Sequence, residues 1–425
     1  MTALSAPPSS PPAGFSVRVA SPRDAGRISA LYEASYSSPD GRSPSDNYAF
    51  PQILSPEWVE SALETKMVFW LVAEADDRVI GAAGLLRGLG SREDGIAECF
   101  GLAVEPGGRC RGVGKRLLAD LHELALREAH VAIGEMRTAD PGAAQIVTKS
   151  GFTPIGFEPF VHRMLGREES MVVVAILSPS VLRQRRRAGT TTAAVRRLAE
   201  VVLEPLGAPP LDVAPGDPTA PWASAWAGLR LKELDAEIGA DLMRRLRGAY
   251  ADAPRYVELR RMDELGREHA RRKQRYFAGI VGDDVVGCIH AAHNRHDHHL
   301  RIESFALETQ DVQDPMLRAL VELVRRESDG HPCVMATELT ATNAAQQRPL
   351  ESAGFVPTSY YPALVVDRGE RLDVVQYTRL LGYTIADALR FLETVKCPDA
   401  ERLIRTIAAE FDRRSDPSAN RQNSP

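Results

Sequence analysis

Residues 102–115 read Leu-Ala-Val-Glu-Pro-Gly-Gly-Arg-Cys-Arg-Gly-Val-Gly-Lys. The alternation before Pro106 is that of a strand. The residues after Gly112 begin an amphipathic helix, with Val113, Leu117, Leu118, Leu121, Leu124 and Ala125 at helical spacing as far as His130. Between them lies a turn carrying Gly107, Gly108, Gly112 and Gly114. Glycines let a backbone come close to a ligand, and the first turn of a helix presents N–H groups that no carbonyl of the same helix can accept. Arg109, Arg111 and Lys115 bring positive charge to the same corner. The combination suits a diphosphate. There is no GxGxxG and no GxxxxGK[ST], so neither the dinucleotide fingerprint nor the Walker loop accounts for it.

Working outward, strands and helices alternate from Phe15 to Ser178. Strands are expected at 15–20, 67–74, 78–86, 97–104, 132–137, 152–160 and 170–177, with a tight turn at Asp76-Asp77. Helices are expected at 24–36, 56–66 (capped by Ser55), 112–130 and 141–149. Pro179 to Ala223 reads as a connector, with a basic run from Arg183 to Arg187, a helix near 193–203 and a Pro-rich end. A second strand–helix series runs from residue 224 to 381, followed by a helical tail, 382–425. Residues 1–14 read as a disordered leader. Three matches suggest an internal repeat. Asp76 to Gly81 resembles Asp283 to Gly287, Glu98 to Leu102 resembles Glu303 to Leu307, and Ser150 to Pro154 resembles Ala353 to Pro357.

The chain has 425 residues, a formal net charge of −5, 44% hydrophobic and 26% charged residues. That is the composition of a globular protein and excludes a generally basic nucleic-acid binder. No apolar run is long enough to cross a bilayer, and the N-terminus lacks the pattern of a signal peptide, so a cytoplasmic protein is expected. The five cysteines are scattered without a CxxC pair, which argues against a disulfide framework or a structural zinc site.

Arg109-Cys110-Arg111-Gly112-Val113-Gly114 resembles the Q/R-x-x-G-x-G/A signature of GCN5-related N-acetyltransferases (GNAT). The preceding Leu-x-Val and Pro106, and the order of elements from Phe15 to Leu177, are similar too. The resemblance implies an α/β fold (α+β in the stricter sense) made of two GNAT-like domains, each a mixed, mostly antiparallel sheet flanked by helices: 15–178 active, and 224–381 degenerate. It implies acetyl-CoA as co-substrate, no metal, and acyl transfer to a primary amine on a small molecule or peptide, without nucleic acid or membrane. Backbone groups of Leu102 and Val104 would pair with the pantetheine arm. Amides from Arg109, Cys110, Arg111, Gly112, Val113, Gly114 and Lys115 would hold the diphosphate, and the amide near Leu102 or Ala103 would face the thioester oxygen. A non-catalytic acyl-CoA-binding regulatory module and an O-acyltransferase are the rival readings.

An amine must lose a proton to attack a thioester. Strand alternation puts Glu98, Phe100 and Leu102 on one face, and Glu98 matches the general base of some relatives. The tyrosine that often serves as acid in the family is replaced by Val147, leaving Thr148, Ser150, Cys99 or water. Asp140 stands where Asn or His is frequent. In the second copy, Glu308 to Pro315 has no glycine, no basic residue and three acidic ones, which argues for lost coenzyme binding. Five histidines between His290 and His299 read as a solvated hairpin tip rather than a metal site, and the Arg183–Arg187 run as a solvated cluster. The tail, with Leu389, Leu392, Leu403, Ile407 and Phe411 at helical intervals, is expected to pack on the second domain. Trp58, Phe69 and Trp70 read as core.

Overall fold

The computed structural model describes residues 14–37, 50–106, 109, 111–139, 141–164, 167–215, 226–247, 272–295, 297–329, 331–395 and 397–415. Expectations for the leader, Gly107, Gly108, Cys110 and Asp140 fall outside them. The first half comprises β1 (Ser16–Val19), α1 (Ala25–Tyr36), α2 (Pro56–Glu64), β2 (Val68–Ala75), β3 (Arg78–Leu89), β4 (Ile96–Val104), α3 (Val113–Glu128), β5 (Val131–Arg137), α4 (Pro141–Lys149), β6 (Thr153–Met164) and β7 (Arg167–Leu177). The connector holds α5 (Pro179–Arg183), β8 (Thr190–Thr191), α6 (Ala193–Leu203) and β9 (Asp212–Val213). The second half follows with β10 (Arg230–Leu234), α7 (Ala236–Arg247), β11 (Arg272–Val281), β12 (Asp284–Asn294), β13 (His299–Leu307), α8 (Gln313–Glu327), β14 (Cys333–Thr340), α9 (Ala344–Ser352), β15 (Val356–Asp367) and β16 (Glu370–Leu381). Two helices close the chain, α10 (Ile385–Ala388) and α11 (Pro398–Ser415).

Local chemistry sets several of these boundaries. Ser55 accepts a hydrogen bond from the Trp58 amide and starts α2. Asp76 and Asp77 both take positive φ (48° and 58°), the two-residue turn that matches strand twist between β2 and β3.

Fourteen strands form one sheet, in the order β1-β2-β3-β4-β5-β7-β6-β15-β16-β14-β13-β12-β11-β10. Read from its two ends the order is the same, so the halves are related by a local twofold at the β6–β15 seam. All pairings are antiparallel except β4 with β5 and β13 with β14. The fold is thus mixed α/β around a large, mostly antiparallel sheet.

The register corrects one sequence match. Ile96 pairs with Val131 as His299 pairs with Val334. Arg301, not Glu303, therefore occupies the place of Glu98, and Glu338 that of Glu135. The bulges also differ: β4 bulges at Gly101–Leu102, opposite Ala83, while β13 bulges at Glu303. The bulge in β4 uses the positive φ of Gly101 (63°) and breaks the alternation, so Leu102 does not share the face of Glu98 and Phe100.

At the seam Gly156 lies opposite Ser359. A Cβ on Gly156 would come within 2.0 Å of Ser359 Oγ and 2.8 Å of its Cα, so only glycine permits this approach. Around it the halves interlock. Tyr361 donates to Glu158 at 3.2 Å, the Arg163 amide to Asp297 at 2.9 Å, and the Val366 amide to Asp94 at 2.6 Å. Phe160 stacks on Tyr383 with ring centroids 4.2 Å apart.

Three further expectations are overturned here. Arg185 is buried, with Nε 2.7 Å from Asp373 and Tyr360 also against the pair, so the middle of the basic run is anchored in the second half while Arg183 and Arg187 stay exposed. Asp297, at the histidine-rich hairpin tip, is buried because that tip docks on Arg163. The tail helix α11 packs on β6, β15 and α6, covering the seam instead of the second half alone. Trp70 is fully buried, as a core aromatic should be. Replacing Gly156 by valine should lower stability by about 2 kcal/mol, the order expected for a forced overpacking, and shift the urea midpoint down. An unchanged midpoint would mean that β6 and β15 do not meet there.

Candidate active site

β4 and β5 stay paired only from Ile96–Val131 to Cys99–Gly134. Beyond that point β5 continues to pair with β7, and β4 with β3. Among the described residues no strand lies against Phe100–Val104 on the β5 side. The glycine-dependent bulge at Gly101 bends β4 away just where the pairing stops, and a cleft of about 750 Å³ opens between the two strands. The Tyr32 hydroxyl donates to the Gly101 carbonyl at 2.5 Å and holds the bulge from the other face.

β4 runs along the cleft into the first turn of α3. Gly112 is the N-cap of that helix, left-handed at φ 83°, and no side chain caps it. Among the described residues a Cβ at Gly112 would meet nothing within 4 Å, so they leave the corner open. The first helical bond runs from the Arg116 amide to the Gly112 carbonyl, which leaves the amides of Val113, Gly114 and Lys115 without an acceptor inside the helix. Arg111 and Lys115 are exposed beside them. Arg109 donates from Nε to the Val104 carbonyl at 3.3 Å, and none of the three cations has an ion pair among the described residues.

The expected site residues gather in this one place. Glu98, Leu102, Ala103, Val104, Arg109, Gly112, Val113, Gly114 and Lys115 all line the cleft. Arg111 is exposed and is not among the residues that line the cleft, and Cys110 lies outside the described residues. Glu98 is buried, and Val147 also lines the cleft. Of the alternative proton donors, Ser150 gives its hydroxyl to the Ile146 carbonyl at 2.8 Å. Cys99 lines the cleft, but burial, with Glu98 beside it, pushes its thiol pKa far up, so it stays neutral.

Sequence reasoning pointed to the stretch between Tyr36 and Ser55 as part of the pocket but missed the opposite wall. Tyr36 and Phe50 close one side, and Glu135, His162, Met164 and Met171 the other. Buried His162 pairs with half-buried Glu135, Nε2 to Oε2 at 2.9 Å. His162 escaped notice because β6 was expected to end at Phe160. It continues to Met164 through an irregular stretch with Phe160 at φ 54°. Arg137, also on this wall, is held by Glu169 at 2.5 and 2.6 Å. Among the described residues no group of three His, Cys, Asp or Glu is placed to hold a metal ion.

Residues 66–154 match the family model described as "Acetyltransferase (GNAT) domain". This segment belongs to the GNAT family. It spans β2 to the start of β6 and so includes β4, the Gly112 corner and α3. No curated protein matches the chain. Similar solved structures include a ribosomal-protein-alanine N-acetyltransferase from Brucella melitensis (22% identity, 38% of this chain, 98% of that one, TM-score 0.32). The yncA protein of Salmonella typhimurium, solved with its cofactor acetyl-CoA, is another (19%, 39% and 94%, 0.34). A third is an N-acetyltransferase from Staphylococcus aureus Mu50 (16%, 39% and 98%, 0.33). The matched segment is an acetyltransferase domain within the first half.

The thiols give a test of the wall. Burial raises Cys99, and raises Cys288 and Cys333 to about 12. A thiol with a raised pKa remains protonated until a higher pH, so at pH 8.5 iodoacetamide should label these three at least ~10-fold more slowly in the native protein than after unfolding. Peptide mass spectrometry reads the rates; fast native labelling of Cys99 would contradict the packing around β4.

Proposed function

We propose that the chain transfers an acetyl or other short acyl group from coenzyme A to a primary amine, on a small molecule or a peptide. The observation that carries this reading is the unpaired edge of β4, running straight into an uncapped, positively charged helix start. Extended chain beside an open strand edge and a diphosphate at the helix end are what the two surfaces accommodate. The open space at Gly112 and the unpaired cations fit such a group.

The coenzyme supplies the acyl group as a thioester. Leu102 and Val104 offer backbone groups to the pantetheine arm. The amides from Arg109 to Lys115 hold the diphosphate, with Arg109, Arg111 and Lys115 offsetting its charge. The amide near Leu102 or Ala103 stabilises negative charge on the carbonyl oxygen. Glu98, buried in the same cleft, takes the proton that the amine must lose. Val147 has no proton to give. A thiolate whose acid has a pKa near 8.5 leaves without one.

In this reading 15–178 is the active unit and 224–381 a degenerate copy. The copy's own strand gap is bridged by Arg301 and Glu338, a buried ion pair in the places of Glu98 and Glu135. Its helix start carries Asp311, which accepts from Trp226 Nε1 at 3.0 Å, and buried Asp314, so the corner repels an anion. The second half instead supports the far wall of the first through Asp297 and Tyr383. The cytoplasm is the implied setting, and the free thiols of Cys99, Cys288, Cys333 and Cys397 agree with it.

Calorimetry with acetyl-CoA tests the assignment. Gly112→Asp with Gly114→Asp should weaken binding by at least ~100-fold, since two carboxylates would occupy the anion corner. Equal affinity would remove the reading. Glu98→Gln should keep the coenzyme affinity and lower kcat by about 10²–10⁴-fold across an amine panel. Full activity of that variant would take the proton away from Glu98, and binding without any turnover would favour a non-catalytic acyl-CoA-binding module.

A further inference from the structure

A second cavity, of about 490 Å³, opens in the other half. It lies where α8 ends at Val324, Glu327 and Ser328, and where β13 and β14 begin at Leu300 and Cys333. It is not the counterpart of the β4–β5 cleft. That cleft opens beyond the paired part of its two strands, whereas this cavity sits at the paired start of β13 and β14.

Its charges are unevenly matched. The two acids on the wall, Glu233 and Glu327, are both held by Arg275, at 2.6 and 2.7 Å. Lys273, 58% exposed, reaches Glu233 only at 3.4 Å. Arg295 is exposed and has no hydrogen bond or ion pair among the described residues. Three cations (Lys273, Arg275, Arg295) thus face two carboxylates (Glu233, Glu327) that one of the cations already satisfies. His293 lines the same space, half-buried, with no hydrogen bond to its ring among the described residues. Burial, then the nearby Arg275 and Arg295, pull its pKa down to about 4. Near pH 7 its ring is therefore neutral and has one N–H to give. His331 stands exposed at the rim, and His298 in the wall already takes a hydrogen bond from Arg163 at 3.2 Å.

We propose that this cavity is a second binding site, for a small molecule carrying a phosphate group, held by Arg295, Lys273 and His293. Lys273 and His293 sit opposite each other on β11 and β12, and Arg295 follows just beyond the end of β12. Three donor groups can serve the three oxygens of a phosphate, one more than a carboxylate offers. The volume leaves room for an organic body beside the phosphate. The reading does not rest on the acyl-transfer assignment.

Thermal unfolding of the full chain in inorganic phosphate, at constant ionic strength and with coenzyme A present to occupy the other anion corner, tests it. The midpoint should rise and saturate with phosphate. Arg295→Ala with Lys273→Ala, both exposed, should leave the midpoint without phosphate unchanged and raise the half-saturating concentration by about 10-fold or more, as loss of charge-assisted hydrogen bonds does. The same saturation curve for both proteins, or a rise that never saturates, would overturn the proposal.

Discussion

A parallel strand pair that comes apart after four residues governs the candidate site. Parallel neighbours share regularly spaced hydrogen bonds, and a strand that leaves its partner exposes a row of amides and carbonyls. β4 leaves β5 beyond Cys99, where Gly101 supplies a backbone conformation that other residues adopt at a cost. Among the described residues no helix covers the freed edge. It forms one wall of a cleft whose end is the bare first turn of α3. Extended backbone and helix dipole thus lie in line, one for a flexible arm and one for a doubly charged group.

The second half shows what the same topology does without that opening. Its parallel pair also separates, after Arg301–Ala336, yet Arg301 reaches across to Glu338 and ties the two strands. The bulge sits elsewhere, and the helix start is acidic. Taking one member from such a buried pair leaves an unpaired charge at a cost of several kcal/mol, so the bridge is not easily undone. Sheet continuity through Gly156 and Ser359, with Phe160 on Tyr383 and Arg163 on Asp297, then turns this closed half into a support for β6. β6 carries His162 into the cleft of the open half.

Much of this was legible in the sequence where local rules decide. The Asp76-Asp77 turn, the Ser55 cap, the periodicity of α3 and the glycines at its start each state their structure within a few residues. What escaped depends on distant partners. No local signal says that Arg185 finds Asp373, or that the histidine-rich hairpin docks on Arg163. Alternation along β4 suggested one face for Glu98, Phe100 and Leu102, and a one-residue bulge at Gly101 was enough to break it. Glu135 and His162 are far apart in sequence. They meet only because β7 lies between β5 and β6 in the sheet while β6 runs on past Phe160.

Amide hydrogen exchange with and without acetyl-CoA addresses the central claim most directly, because it reads the backbone groups themselves. The account predicts added protection in two stretches only, Phe100–Val104 and Val113–Lys115, with Gln313–Arg318 at the start of α8 unchanged. Protection at α8, or none along β4, would contradict it.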